Sequence, residues 1–396
     1  MSRRALLILV VAVISVAGLV IAGCAPEAAP PPEEEEEAAP PEEEEEEEAP
    51  PPAAPEEEVI EWTIQAPFPE GMSIYKGCVD WAAAVTEMSG GRLTVKSFPA
   101  GAIVPALKEM FAVHEGTLDA CFTGSHYHTS EVGMAGDLFN LYPAGLSPAE
   151  MMTWVYEGGG LELWQEMYDR KGLNIHAVGP CGFSSAETFG WFNKPMDSLS
   201  DFKGLKFRTA GVWGEMVNEM GGAVTTCPGG EIYENMERGV LDAFEFSTPS
   251  IDYSTGFHEL GAYLHGPGIH APESCFELLI NKDRWNELPR DLKAICTRAA
   301  EANTARIWAF NDYYDAVAME DLAAYGTKFV YLPEDLQEEI VGIANAKYEE
   351  IAAEDEFFAK VLESQREFAI KYRALKDFIQ PDPDLMTWGK IPAYGR

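Results

Sequence analysis

The sequence predicts an α/β protein of two lobes flanking a cleft, with long helices at its C-terminal end. Three observations carry that reading. Strand-like runs alternate with helical periodicity from residue 60 onward, the rhythm of an open sheet with helices on both faces. A second series of such units follows residue 181, and a strand-like run at 275–281 returns after it. From residue 285 the pattern is almost wholly helical.

Taken in order, Glu61-Trp62-Thr63-Ile64-Gln65 reads as the first strand. Residues 73–88 carry apolar positions at helical spacing, and Ser89-Gly90-Gly91 stops them. A second strand spans 92–98, a helix runs through His114, and a third strand covers 118–123. Residues 174–179 form another strand, ending in a loop at Pro180-Cys181-Gly182. Short strands are expected at 205–208 and 243–246, with helices at 211–220 and 231–238 between them. Glu231 supports the start of the second helix, where negative charge is favoured. Helices at 285–322 and 340–375 complete the chain. Ligands in such sheets sit beyond the carboxyl ends of the strands.

The first residues are an export signal. Arg3 and Arg4 precede an apolar stretch over residues 5–22, and Ile21-Ala22-Gly23-Cys24 places small residues before one cysteine. That pattern marks a lipoprotein signal with Cys24 as the lipidated residue. Residues 25–58 contain only Ala, Pro and Glu, a composition that cannot build a core and predicts a disordered spacer. The expected division is a signal peptide at 1–24 and a linker at 25–58. Lobe I follows at 59–180 with a returning segment at about 267–284, then lobe II at 181–266, with the spanning and C-terminal helices at 285–396.

The chain holds 66 acidic and 28 basic residues. Removing the 17 Glu and two Arg of residues 1–61 leaves 49 against 26, a body at −23. Nucleic acid is thereby excluded as a partner, because it needs a basic footprint. An anionic ligand needs a local positive group, so individual arginines are informative. The six cysteines beyond Cys24 are scattered without a Cys-x-x-Cys pair, which argues against a zinc site. Their pairing stays open.

Two stretches carry a resemblance. Tyr156-Glu157-Gly158-Gly159-Gly160-Leu161-Glu162-Leu163-Trp164, Gly190-Trp191-Phe192 and Phe202-Lys203-Gly204-Leu205-Lys206-Phe207-Arg208 follow one another. In that order they resemble the substrate-binding receptors of tripartite ATP-independent periplasmic (TRAP) transporters. Pro228-Gly229-Gly230-Glu231-Ile232-Tyr233, then Gly239-Val240-Leu241-Asp242-Ala243-Phe244-Glu245-Phe246, is similar to the branch that binds 2-oxo and 2-hydroxy acids. The resemblance covers the whole body. It implies a periplasmic-binding-protein-like fold with a long helix spanning both lobes, and integral membrane subunits as partners. Pairing into a homodimer through the C-terminal helices is implied for some members.

Arg208 ends a strand, and its planar guanidinium can grip a carboxylate through two parallel hydrogen bonds. By resemblance it is the carboxylate-binding arginine. Glu245 and Phe246 match the acidic-aromatic pair that gives a side-chain and a main-chain oxygen to a cation touching the ligand, chemistry that suits Ca²⁺ or Na⁺. Glu187 stands where the family usually has Gln, and Ala271 where relatives commonly carry Glu; both positions belong to the implied cation shell. Tyr127 matches a tyrosine whose hydroxyl reaches the ligand, and Trp213 and Phe246 are placed as walls of the cleft. His126 and His128 read as a partly exposed surface pair rather than a metal site.

These readings converge on a lipoprotein in the periplasm or at the cell surface that binds a small 2-oxo or 2-hydroxy monocarboxylate. A secreted metal-dependent enzyme acting on a small carboxylate is the alternative. Against it, the chain lacks the nucleophile elbow, the zinc-protease helix motif and the phosphate-binding glycine loop.

Overall fold

The computed structural model describes residues 59–382, with Leu385, Met386 and Tyr394 beyond them. The signal segment, Cys24 and the 25–58 linker lie outside the described residues. Eleven strands are present among them: β1 (Ile60–Gln65), β2 (Leu93–Phe98), β3 (Ala120–Thr123), β4 (Ile175–Ser184), β5 (Gly190–Phe192), β6 (Lys206–Arg208), β7 (Ala223–Thr225), β8 (Ala243–Phe244), β9 (Tyr263–Gly266), β10 (Ser274–Asn281) and β11 (Lys328–Tyr331).

They form two sheets, ordered β2-β1-β3-β10-β4 and β11-β9-β5-β8-β6-β7. In the first, β1 runs parallel to both β2 and β3, and β10 enters antiparallel between β3 and β4. In the second, β6 is parallel to β7 and β8, so three strand ends point the same way. The two-lobed α/β class read from the sequence is the class observed. Each lobe's core is aromatic: Trp81, Trp154, Trp164, Trp191 and Trp213 are fully buried.

Several elements depart from the sequence reading, each for a local reason. β4 does not stop at Pro180 but continues to Ser184. Pro180 lacks an amide donor, and the pairing with β10 shifts register beside it, so the ladder survives the missing bond. β11, expected within the helical C-terminal region, joins the second sheet parallel to β9. The helix expected at 285–322 is instead a short helix Lys282–Glu287 and a long one Arg290–Tyr325. Pro289 forces that break, since proline cannot continue a helix but suits its start. The final helical stretch divides at Asp355, whose side chain accepts from Phe357 N and Phe358 N and starts a new helix there. Residues 148–170, left without elements by the sequence reading, hold two helices, the first opened by a Ser147/Glu150 capping box.

The 36-residue helix Arg290–Tyr325 is about 54 Å long at the usual rise. It runs along both sheets. Trp81 Nε1 donates to Cys296 O at 3.2 Å near its start, and Asn303 Nδ2 reaches Cys181 O at 2.6 Å. Asn311 Nδ2 donates to Phe183 O at 2.9 Å, and Asp315 accepts from Thr248 Oγ1 and Ser250 N at 2.8 Å. The C-terminal half of β4 and the segment that follows β8 are thus tied to one rod. No helix among the described residues is long and apolar enough to cross a membrane. The six cysteines 78, 121, 181, 227, 275 and 296 are buried free thiols.

Candidate functional site

The strand ends of β6 and β8 converge on one enclosed cavity. Arg208 is the last residue of β6, and Glu245 and Phe246 follow β8 directly, with Glu245 N bonded to Arg208 O at 3.2 Å. Glu187 comes from the link between β4 and β5, and its main-chain N donates to Ala271 O at 3.0 Å. Tyr127 comes from the short turn after β3, opposite these strand ends. All five of these side chains line the cavity. It is closed down to ≈ 20 Å³ of free volume, against the ~10–15 Å³ that one water requires.

Arg208 is 2% exposed and fully engaged with its surroundings. Its Nη1 donates to Glu245 O at 2.8 Å and Glu245 Oε1 at 3.2 Å, while Nε and Nη2 share Cys227 O at 3.3 and 3.4 Å. The guanidinium also lies 5.2 Å from the Phe246 ring centroid, a cation–π distance. Four of its five N–H groups are committed to these oxygens, and the Tyr127 side chain also reaches the guanidinium. An N–H of Nη1 becomes open whenever Glu245 Oε1 turns elsewhere. The Phe246 ring sits where it does because Gly229 has no side chain: a Cβ there would collide with the ring. That gives the Pro228-Gly229-Gly230 segment a physical purpose.

His270 is the residue that the sequence reading did not single out. It is fully buried, and its Nε2 stands 3.7 Å from both Glu187 Oε2 and Glu245 Oε2. Burial lowers an imidazole's affinity for protons, but the two carboxylates outweigh it and raise His270 to about 9. Burial pushes Glu245 up, yet Arg208 and His270 prevail and hold its carboxyl well below the usual range. Burial keeps Glu187 above that range, with the Glu245 charge adding to it. Glu187, Glu245 and His270 each bring one ligand-capable atom within 4.8 Å of the others, and Glu187 Oε2 has no hydrogen-bond partner. Two carboxylates beside a free strand-end carbonyl suit a hard cation.

Other expectations change. Trp213 does not line the cavity; it is 1% exposed and packs one layer behind, 5.8 Å from His270 and 5.7 Å from Phe189. A helix start beside a binding strand holds packing residues as well as binding ones, and sequence cannot separate them. His126 and His128 are buried rather than on the surface. The turn after β3 folds inward under the helices that follow, so His128 Nε2 meets Thr123 Oγ1 at 3.2 Å and His126 lines the cavity. Ala271 offers its main chain to Glu187, and the neighbouring His270 is what reaches the carboxylates. Glu231 is exposed at a helix start and makes no side-chain cap.

Residues 66–355 match the family of bacterial extracellular solute-binding proteins, family 7 (DctP). The chain belongs to this family. A monocarboxylate 2-oxoacid-binding periplasmic protein of Nostoc sp. is 32% identical over 314 residues, covering 78% of this chain and 84% of that one. A TRAP periplasmic solute binding protein from Colwellia psychrerythraea, solved with calcium and pyruvate, superposes with a TM-score of 0.77 at 29% identity. It covers 81% of this chain and 98% of its own. Its counterpart from Pseudoalteromonas atlantica, solved with sodium and pyruvate, gives 0.77 at 28% identity over 81% of this chain and 97% of its own. This DctP-family receptor therefore shares the two-lobed fold of TRAP solute-binding proteins, and the strand-end cavity is its candidate ligand site.

Proposed function

We propose that this receptor captures a short 2-oxo or 2-hydroxy monocarboxylate outside the cytoplasm and passes it to the membrane subunits of a TRAP transporter. The observation that carries the reading is Arg208, a buried guanidinium aimed into an enclosed cavity at parallel strand ends, beside two carboxylates. In an acidic protein that one positive group defines where an organic anion can sit. The 2-oxoacid-binding relative and the pyruvate complexes of the two similar structures support the ligand class.

Glu245, Glu187 and the main-chain oxygen of Phe246 would hold one cation, Ca²⁺ or Na⁺; the two similar structures were solved with sodium or calcium together with pyruvate. The cation supplies positive charge that the bound acid and Glu245 share, while Arg208 orients the acid's carboxylate and Tyr127 closes over it. With the strand ends and the turn after β3 packed around the cavity, entry of an acid would go with separation of the lobes about the long helix. The role is capture and delivery rather than catalysis. Attachment through lipidated Cys24 would hold the receptor beside its membrane partner. Pairing into a homodimer belongs to the same proposal, through the C-terminal helix Glu356–Ile379, where Ile370 is 71% and Phe378 89% exposed.

A thermal-shift screen of small carboxylic acids tests the reading. A true ligand stabilises the fold by about 2.7 kcal/mol at a hundredfold excess over its dissociation constant. Pyruvate or lactate should raise the melting temperature and remain unconsumed. Turnover of the acid would instead favour an enzyme.

A further inference from the structure

Two polar side chains in the cavity wall, His126 and Ser274, are unaccounted for by the carboxylate and cation roles, and only His126 offers a ring that can donate or accept by tautomer. His126 lies opposite Arg208 and Glu245 on the turn after β3, is 5% exposed, and lines the cavity. Its Nδ1 makes no hydrogen bond of full geometry among the described residues, with the Asn140 side chain its nearest polar neighbour. The ring is held in place on two sides. Its centroid lies 3.8 Å from that of Tyr127, and a Cβ at Gly124 would stand 2.7 Å from its Cε1 and Nδ1. Gly124 thus leaves room that the imidazole fills. Burial pushes His126 down to about 3, so it is neutral at any physiological pH. A neutral imidazole carries one N–H and one lone pair.

Resting on the reading that the cavity binds a 2-substituted acid, we propose that His126 is a specificity-determining residue that hydrogen-bonds the oxygen at the acid's second carbon. Arg208 serves the carboxylate, Glu187 and Glu245 are acceptors or cation ligands, and Tyr127 stands beside Arg208 over the carboxylate, so none of them is assigned to donate to that oxygen. His126 can donate to a ketone, or accept from a hydroxyl while the opposite tautomer holds. The site should then take 2-oxo and 2-hydroxy acids alike and reject the same acid lacking the oxygen. A site built to bond a ligand oxygen discriminates strongly against the analogue without it, because the buried partner is left unpaired.

The experiment compares pyruvate, lactate and propionate by calorimetry on the full chain with saturating calcium, in wild type, His126→Phe, His126→Asn and Ser274→Ala. Wild type should bind pyruvate and lactate at least about tenfold more tightly than propionate. His126→Phe should shrink that preference about tenfold while propionate changes little, and His126→Asn, which keeps a donor and an acceptor, should recover part of it. Equal loss for all three acids in His126→Phe would make the residue packing only and overturn the proposal. So would an unchanged preference, or its loss in Ser274→Ala instead, since that hydroxyl also lines the cavity. If His126→Phe fails to fold, His126→Asn with a preference below that of wild type supports the proposal, and one unchanged overturns it. Wild type that binds no acid would overturn the functional reading as well, whereas wild type that binds pyruvate with no preference over propionate overturns the role of His126 alone.

Discussion

Arg208 and Glu245 meet at 3.2 Å with side chains 3% and 7% exposed, and Arg208 also donates to the Glu245 main-chain carbonyl. On the proposed function, the pair would couple the anion-binding group to the cation-binding one. A carboxylate that turns toward a cation releases an N–H of the arginine toward the bound acid. Pairs of this kind are costly to break from one side, because the remaining charge stays buried without a partner.

Arg208→Lys keeps the charge but loses the fork that spans Glu245 O, Glu245 Oε1 and Cys227 O. Acid binding should weaken by ~1.5–3 kcal/mol, the range for a hydrogen bond to a charged group. Calorimetry checks this, and unchanged affinity would take Arg208 out of the site. Arg208→Ala should in addition lower stability by ~3–5 kcal/mol in denaturant unfolding.

Glu187→Gln tests the second carboxylate. It preserves shape while removing the charge beside His270. Cation-dependent acid binding should fall at least about tenfold, ~1.4 kcal/mol, with the loss appearing only when calcium is present. An equal affinity in the variant and wild type under saturating calcium would show that Glu187 does not serve the cation.

Asp137 gives a stability prediction away from the cavity. Its buried carboxylate accepts from Val212 N at the start of the helix Gly211–Glu219, where Gly211 has φ +64° and no Cβ to strike it. Burial, with help from the Glu215 charge, pushes Asp137 up to about 8, against ~3.9 in an unfolded chain. The folded state therefore holds a proton that the unfolded state releases. The contribution is fully present below about pH 4 and is lost as pH rises toward 8. Asp137→Asn mimics the protonated form, so its melting temperature should fall less than that of wild type between pH 5 and 8. A gap of a few kcal/mol should open by pH 8, at ~1.4 kcal/mol per pH unit within that window. Parallel pH profiles would refute the shift.

The legible part of this protein is what local chemistry dictates. The strand-end position singled out Arg208, the motif resemblance singled out Glu245 and Phe246, and the structure brings all three to one cavity. Glu187 and Tyr127 were reachable through motif resemblance. His270 was not, although it directly precedes Ala271, a position the sequence reading names. Its importance comes from two carboxylates brought to it by separate strands, and nothing within five residues signals that meeting. The reversed burial of His126 and His128 has the same origin, since an alternating polar turn looks exposed until the chain covers it. Helix breaks at Pro289 and Asp355 were readable in principle. The apolar periodicity on either side masked them.

The lipoprotein assignment has its own check. Cys24→Ser expressed in a bacterium should lose acylation and stop partitioning with detergent. An intact native protein whose mass shows no acyl chains would contradict it.

The central claim is that Arg208 and a cation held by Glu245 and Glu187 bind a small 2-substituted carboxylate together. The most direct measurement is calorimetric titration of pyruvate into the full chain, first after chelation and then with calcium restored. Tight one-site binding with calcium, weakened at least about tenfold by chelation and abolished or strongly reduced in Arg208→Lys, is the expected result. Binding of pyruvate with the same affinity in all three conditions, or none in any of them, would contradict the account.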